Sequence, residues 1–422
     1  MTTFVLFGSF FLFMALTVPI GIALGIAGLI TAIYSPNISI TFLSQGLVTS
    51  TDNFALMAIP FFILAGEIMG KGGISTRLFD LANVFVGRFT GGFAMAAVIT
   101  SMFFAAISGS GPATVAAVGG IMIPAMVAEG YDKKFATALI ASAGSLGIIL
   151  PPSIPMVLFG ISANESIGDL FFGGILPGIL IGLFIMVWAY IHSKKMGYTG
   201  TNEQFSWKKL FQAINKSKWS LLVPIIILGG IYGGIFTPTE AAVVAVVYAL
   251  FVSVFLHKAI KFSDLHAIFR NAALSSVAIL IIIGTANAFG TILSMERIPQ
   301  AFAEAFLSVS QNGIVILMLI ILMLLIIGLF IDTSAAVIIF TPILFPVALE
   351  IGMNPIHFGI VMIVTLAIGF ITPPLGVNLF VGSGISGLSM PVLAKASIPF
   401  FFVILAGLIV IAVIPQLTLL FL

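Results

Sequence analysis

Apolar residues run through this chain in long blocks, and the polar interruptions between them mark its elements. Blocks near 3–17, 19–35, 53–70, 135–162, 170–192, 219–236, 239–257, 272–293, 356–386 and 391–415 each predict a crossing helix, since about 20 apolar residues span a bilayer. Blocks 93–127 and 314–349 are too long for one crossing, and a small or polar cluster interrupts each. Both fit a helical hairpin that enters and leaves on the same side. Non-helical backbone at that depth is tolerated only where protein buries it or a cavity wets it.

Composition agrees: 60% of the 422 residues are hydrophobic and 7% are charged, too little polar surface for a soluble domain of this length. The placement of charge then orients the chain. Connectors 71–92, 128–134, 193–220, 258–271 and 387–395 carry 15 of the 16 Lys and Arg residues; Arg297 is the exception. The positive-inside rule puts these connectors in the cytoplasm and both termini in the periplasm. Residues 193–220, with Trp207 and Trp219 among the lysines, form the one sizeable polar loop and read as an amphipathic linker. No cleavable signal peptide is evident, because the first apolar run lacks a basic leader and continues into further membrane segments.

The two halves repeat. Moving residues 108–178 forward by 222 positions places Pro124 on Pro346, Pro151-Pro152 on Pro373-Pro374 and Pro177 on Pro399. Gly130 and Gly147 fall likewise on Gly352 and Gly369. A repeat is sought first because it dictates architecture. The expected fold is all-α, with repeats 1–192 and 221–422 around the linker 193–220. Each repeat has a re-entrant hairpin (93–127, 314–349) and a discontinuous helix (135–162, 356–386). With the connectors inside, the first hairpin opens to the cytoplasm and the second to the periplasm, so the repeats are inverted, the build of many secondary transporters. Residues 1–35 read as two short crossings around Pro19, because 19–35 shifts onto 241–257. Residues 36–50 and 258–271 become matching arms at the interface.

The chemistry sits at the breaks. Ser108-Gly109-Ser110-Gly111-Pro112-Ala113-Thr114 cannot sustain a helix. A break in the bilayer frees carbonyls at one helix end, which suit a dehydrated Na⁺, and N–H groups at the next, which suit an anion. The plainer reading is a tight turn packing small residues; recurrence in the second repeat favours function. There Ser110 maps onto Asp332 of Asp332-Thr333-Ser334, an ionisable group inside a membrane segment, although an ordinary N-cap would also explain it. Leu150-Pro151-Pro152-Ser153 and Thr372-Pro373-Pro374 remove N–H donors midway along apolar runs. Each would face a hairpin tip and complete a cation site made of oxygen alone, or be a simple proline kink. Asn378, four residues after Pro374, shares its helical face and is expected to reach a polar substrate; its counterpart is Met156. Thr285 and Asn287 are weaker candidates, and a helix N-terminal role accounts for Glu240.

Several chemistries are missing. There is no cysteine, no phosphate-binding loop for nucleotides, and no metalloprotease or serine-hydrolase motif. Nothing points to nucleic acid.

On residues 53–66 (Asn53 through Pro60 to Gly66), Ser108–Thr114, Leu150–Pro155, Ala163–Ser166, Phe236–Glu240 and Ile371–Gly376, the chain resembles the large membrane (M) subunit of tripartite ATP-independent periplasmic (TRAP) transporters. The likeness runs along essentially its whole length. It implies Na⁺-coupled, elevator-type uptake of an organic acid, of the C4-dicarboxylate or sialic acid class, across the bacterial inner membrane. It implies two partners on separate chains: a small membrane subunit of the Q type and a periplasmic substrate-binding protein of the P type. Two or more Na⁺ ions would sit at Ser108, Gly109, Ser110 and Gly111 with Leu150, Pro151, Pro152 and Ser153, and at Asp332, Thr333 and Ser334 with Thr372, Pro373 and Pro374. The cargo would lie between the hairpin tips, near Ser110, Pro112, Thr114, Ser153, Ser334 and Asn378. Arg77, Arg88, Arg270 and Arg297 all fall in connectors, so helix N-termini and hydroxyls would receive its carboxylate. The rival readings are a stand-alone Na⁺/organic anion symporter, an intramembrane enzyme and a channel.

Overall fold

Glycine and proline place the helix ends, and the long apolar runs fill the helices between them. The computed structural model describes all residues except 36–37 and 201–205, and the side chain at 42. In the first half the helices are α1 (Thr2–Ala15), α2 (Ile20–Tyr34), α3 (Ile40–Thr49), α4 (Ala58–Lys71) and α5 (Ile74–Val86). Next come α6 (Gly92–Ser108), α7 (Gly111–Ala128), α8 (Lys133–Gly144), α9 (Leu146–Ile149), α10 (Ile154–Ala163) and α11 (Ile167–Met196). The second half holds α12 (Trp207–Tyr232), α13 (Pro238–Phe251), α14 (Phe262–Met295), α15 (Ile298–Val309) and α16 (Gly313–Gly328). It closes with α17 (Thr333–Glu350), α18 (Pro355–Gly369), α19 (Val377–Ser386), α20 (Met390–Val413) and α21 (Gln416–Leu419). Nine helical stretches among the described residues are long and apolar enough to cross a membrane.

The shift of 222 carries Gly111–Ala128 onto Thr333–Glu350, the bounds of α17. It carries the start of α8 onto the start of α18. The packing has the same reciprocity. α7 packs on α19 while α17 packs on α10, and α2 packs on α14 while α4 packs on α13. Each half therefore completes the other. The rings of Phe159 and Phe345 meet edge to face at 5.9 Å, and Phe159 also lies 6.2 Å from Phe358. Such aromatic pairs add about 0.5–1.5 kcal/mol each and tie α10 to α17 and α18.

Two groups of helices result. One contains α1–α4 and α12–α14; the other contains α6–α11 and α16–α21. They meet where α4 lies on α6 and α7, where α14 lies on α17, and where α10 meets residues 54–57. On α4, Gly66 and Gly70 face the second group: a Cβ on Gly66 would sit 3.4 Å from the Ser108 Cα, and one on Gly70 would sit 3.5 Å from the Ala117 Cβ. Small residues four apart let two backbones approach closely.

Residues 1–35 form two helices packed on each other, as the repeat requires. Three other segments differ from the sequence reading. The polar loop expected over 193–220 is largely helical: α11 runs to Met196 and α12 begins at Trp207. Its lysines lie along one side of α12, while Leu210, Ala213 and Ser217 are buried at helical spacing against α5, where the Ser217 hydroxyl donates to the Arg77 carbonyl. The side bearing Leu210 is covered by protein, whereas Trp207 and Phe211 remain exposed. The central residues of that loop, 201–205, lie outside the described residues. Second, the arm expected over 258–271 is not separate, because α14 runs unbroken for 34 residues. The matching stretch of the first half is interrupted at Ser50-Thr51-Asp52-Asn53, whose counterparts are Ala272-Ala273-Leu274-Ser275. Polar side chains that bond to nearby backbone favour a break, and Ala and Leu favour helix. Third, connector 71–92 contains α5, and residues 298–309, which carried no assignment, form α15.

Candidate functional site

Both hairpins break as their sequences require, with different caps. α6 ends on Gly109, whose φ of +62° a residue with a Cβ rarely adopts. Ser110 is extended and caps α7, its hydroxyl accepting from the Ala113 N–H at 3.4 Å. Inside this tip the Ser108 and Thr114 hydroxyls lie 3.0 Å apart, and the Thr114 hydroxyl donates to the Ser110 carbonyl at 2.8 Å. In the second hairpin Asp332 caps α17, its carboxylate accepting from the Ser334 N–H at 2.9 Å. The Thr333 hydroxyl points back to the Leu366 carbonyl at 3.5 Å.

The broken helices dock on these tips by main-chain bonds. The Ile154 N–H donates to the Gly109 carbonyl at 3.2 Å, and the Leu375 N–H donates to the Leu329 carbonyl at 3.0 Å. Both Pro-Pro bonds, 151–152 and 373–374, are cis. The hydroxyls flanking them bond back to the preceding turn: Ser153 donates to the Ile148 carbonyl at 2.6 Å, and Thr372 donates at 2.7 Å to the Ile368 carbonyl, which also accepts from the Ile371 N–H. Glycine permits the close approach. A Cβ on Gly147 would collide with the Ser110 carbonyl, and one on Gly369 would collide with the Gly328 carbonyl.

The structure therefore brings Ser108–Gly111 against Leu150–Ser153, and Asp332–Ser334 against the helix that leads to Thr372–Pro374. It also joins the two constellations. Phe370 lies beside Gly111, where a Cβ would be 2.7 Å from its ring. Asn378 crosses from α19 to α8, its side-chain nitrogen donating to the Ala141 carbonyl at 2.9 Å and to the Ser145 hydroxyl at 3.4 Å. Its Oδ1 is buried without a hydrogen-bond partner and lies 3.1 Å from where a Gly111 Cβ would be.

A polar cavity of about 490 Å³ opens between the two helix groups. From the first group it receives Thr49, Ser50, Asp52 and Asn53, then Asn287, Thr291 and Ser294 of α14. From the second come Ser162 of α10, and Ile338 and Pro342 of α17. Ile338 stands six residues past Asp332 on α17, about 9 Å along a helix. Of the residues expected to meet cargo, Ser110, Pro112, Thr114, Ser153, Ser334 and Asn378, none lines this cavity; Thr114, Ser153 and Asn378 are fully buried. Sequence reading named Asn287 and passed over Ser50, Asp52, Ser162, Thr291 and Ser294. The available signal was the polar run 49–53 that interrupts an apolar stretch, since the α14 hydroxyls are scattered among apolar neighbours.

Residues 7–417 match the family described as Tripartite ATP-independent periplasmic transporter, DctM component. The chain is 47% identical over 417 residues to the isethionate TRAP transporter permease protein DctMQ of Oleidesulfovibrio alaskensis. That match covers 99% of this chain and 66% of the relative, so the chain spans about two thirds of that relative's length. It is 41% identical to the C4-dicarboxylate TRAP transporter large permease protein DctM of Pseudomonas aeruginosa, covering 94% of this chain and 93% of the relative. It is 36% identical to the sialic acid TRAP transporter large permease protein SiaM of Vibrio cholerae, covering 95% and 94%. The YdaH transporter of Alcanivorax borkumensis shares the fold, with a TM-score of 0.62 over 88% of each chain at 16% identity. With the match running along nearly all of a polytopic helical chain, the protein belongs to the DctM family, the large membrane subunits of tripartite ATP-independent periplasmic transporters.

Proposed function

We propose that this chain carries a small organic acid into the cell, driven by Na⁺, by sliding one helix group against the other. The carrying observation is the polar cavity between the groups, a turn or two from both the first Pro-Pro break and the second hairpin tip. It is lined from both sides, so moving α10 and α17 past α14 would carry away five of its 16 lining residues, Leu158, Ile161, Ser162, Ile338 and Pro342.

The residues at the first break fit a hard, weakly held cation. Leu150–Pro152 includes two residues without N–H groups, the hairpin tip contributes hydroxyls, and the Asn378 Oδ1 is an orphaned neutral oxygen beside Gly111. A buried oxygen without a donor costs about 1–3 kcal/mol, and a cation would offset that cost. The second break offers the Asp332 carboxylate and the Thr333 and Thr372 hydroxyls. Na⁺ bound there supplies positive charge near an anionic cargo. This matters because no Lys, Arg or His lines the cavity among the described residues. Hydroxyls and amides of Ser50, Asn53, Ser162, Asn287, Thr291 and Ser294 would donate to the acid. Names of the relatives point to the cargo class: isethionate, C4-dicarboxylates and sialic acid. All are organic anions with hydrogen-bonding oxygens.

The first group, containing α2, α4, α13 and α14, would be the fixed scaffold. Gly66 and Gly70 give α4 a smooth face where the other group passes. A small Q-type membrane subunit would brace the scaffold, and a P-type periplasmic protein would deliver the acid. The relative named DctMQ, which extends well beyond the part this chain matches, supports the first of these partners. The lysine-bearing connectors would face the cytoplasm.

Uptake into proteoliposomes tests this, with each component omitted in turn and the Na⁺ gradient present or absent. The proposal expects uptake only with Na⁺ and all three proteins. Uptake by this chain alone would make it a self-sufficient symporter, and Na⁺-independent uptake would remove the coupling.

A further inference from the structure

Two hollows on the lysine-bearing side of α8, α11 and α20 run into one another. The outer hollow, about 250 Å³, is lined by Lys134, Lys395, His192 and Asp132. The inner groove, about 420 Å³, lies between α11 and α20 and is lined by apolar side chains, among them Phe184, Val187, Phe402 and Val403. Trp188 and Pro399 line both. A cationic mouth thus continues into an apolar slot open to the membrane, where Val187 and Phe402 are exposed.

We propose that this joined hollow is a binding site for an anionic phospholipid. The phosphate lies against Lys134 and Lys395, and one acyl chain lies in the groove beyond Trp188. Charge complementarity carries the choice of occupant. Neither lysine is held in an ion pair among the described residues. The one acid at the mouth is already engaged: the Asp132 carboxylate caps α8, accepting from the Lys134 and Phe135 N–H groups at 2.8 and 3.0 Å. Phe135 and His192 stack face to face, ring centroids 4.0 Å apart and planes 8° apart, which gives the mouth a flat, fixed wall. Trp188 stands 6.3 Å from the His192 ring, at the boundary between the polar and apolar parts. Tryptophan favours that depth in a bilayer, and the lysines mark this side as the cytoplasmic one. Anionic lipids concentrate in that leaflet, and basic pockets between helices there take their headgroups. The site is independent of the cargo cavity, and it lies on the helix group proposed to move.

Trp188 makes the site measurable. The chain has three tryptophans, and Trp207→Phe with Trp219→Phe leaves Trp188 as the sole emitter. The protein is placed in phosphatidylcholine vesicles containing a minor fraction of brominated phosphatidylglycerol or brominated phosphatidylcholine. The anionic lipid should quench at a lower mole fraction than the zwitterionic one. Each change, Lys134→Gln or Lys395→Gln, should raise its half-quenching fraction about fivefold, and the double variant should abolish the preference. The Lys134→Arg/Lys395→Arg pair should keep it, which separates lost charge from lost structure. Equal quenching by both lipids, or a preference surviving the double Gln change, would overturn the proposal. So would displacement by soluble glycerol phosphate, which would reassign the mouth to a free phosphoester.

Discussion

The Asn378 side chain donates to the Ala141 carbonyl at 2.9 Å, joining residues 237 apart in sequence and belonging to opposite halves. This bond fixes the amide so that its oxygen faces Gly111, where it finds no hydrogen-bond partner. An oxygen from the second half therefore stands at the first hairpin tip.

Asn378→Ala should raise the Na⁺ concentration for half-maximal uptake about tenfold, corresponding to the loss of roughly 1.4 kcal/mol of cation binding. Half-saturation by cargo at saturating Na⁺ should stay within twofold. A cargo effect with an unchanged Na⁺ response would return Asn378 to the substrate side, where its helical face alone had put it.

Asp332 can be tested by separating its cap from its charge. Asparagine caps helices as well as aspartate does, and alanine costs about 1 kcal/mol. Asp332→Asn should keep the thermal midpoint in detergent while weakening Na⁺ dependence, whereas Asp332→Ala should lower both. An Asp332→Asn protein with a normal Na⁺ response would leave the residue a cap alone.

The cavity makes a prediction of the opposite kind. Asn287→Ala or Ser294→Ala removes a hydrogen bond worth about 0.5–1.5 kcal/mol, so the cargo concentration for half-maximal uptake should rise roughly three- to tenfold. Na⁺ dependence should not move. Concentration series in cargo and in Na⁺, run on the same vesicles, distinguish the two sets of residues.

Gly147→Ala should destabilise the fold, because the Ser110 carbonyl and Thr114 hydroxyl occupy the space a Cβ needs. Overpacking of this kind costs about 1–3 kcal/mol, visible as a lower thermal midpoint. Gly120→Ala, with open space around it inside α7, is the matched control and should hold or slightly raise the midpoint, since alanine favours helix over glycine.

Apolar helices and the breaks between them were legible in the sequence because glycine, proline and polar interruptions act locally. The matched breaks were legible too, since Pro151-Pro152 and Pro373-Pro374 keep their spacing and both fall between helices. Placement across the halves was not. Asn378 was assigned by its helical face, yet its partners, Ala141 on α8 and Ser145 just beyond it, belong to the other repeat. The cavity was largely missed for the same reason. Asp52 and Ser294 are single polar residues on different elements, and only the packing of α14 against α17 and of α10 against residues 54–57 brings them together. The extent of α14 turned on propensity: Ala272-Ala273-Leu274 continues a helix where Ser50-Thr51-Asp52 ends one.

The central claim is that one helix group moves against the other, and a reversible lock tests it most directly. The chain has no cysteine, and a Cβ on Gly70 would stand 3.5 Å from the Ala117 Cβ across the contact of α4 with α7, within disulfide range. In the Gly70→Cys/Ala117→Cys protein, oxidation should abolish Na⁺-driven uptake and reduction should restore it, with each single variant indifferent to oxidant. Uptake at the reduced rate by fully cross-linked protein would contradict the sliding of the two groups.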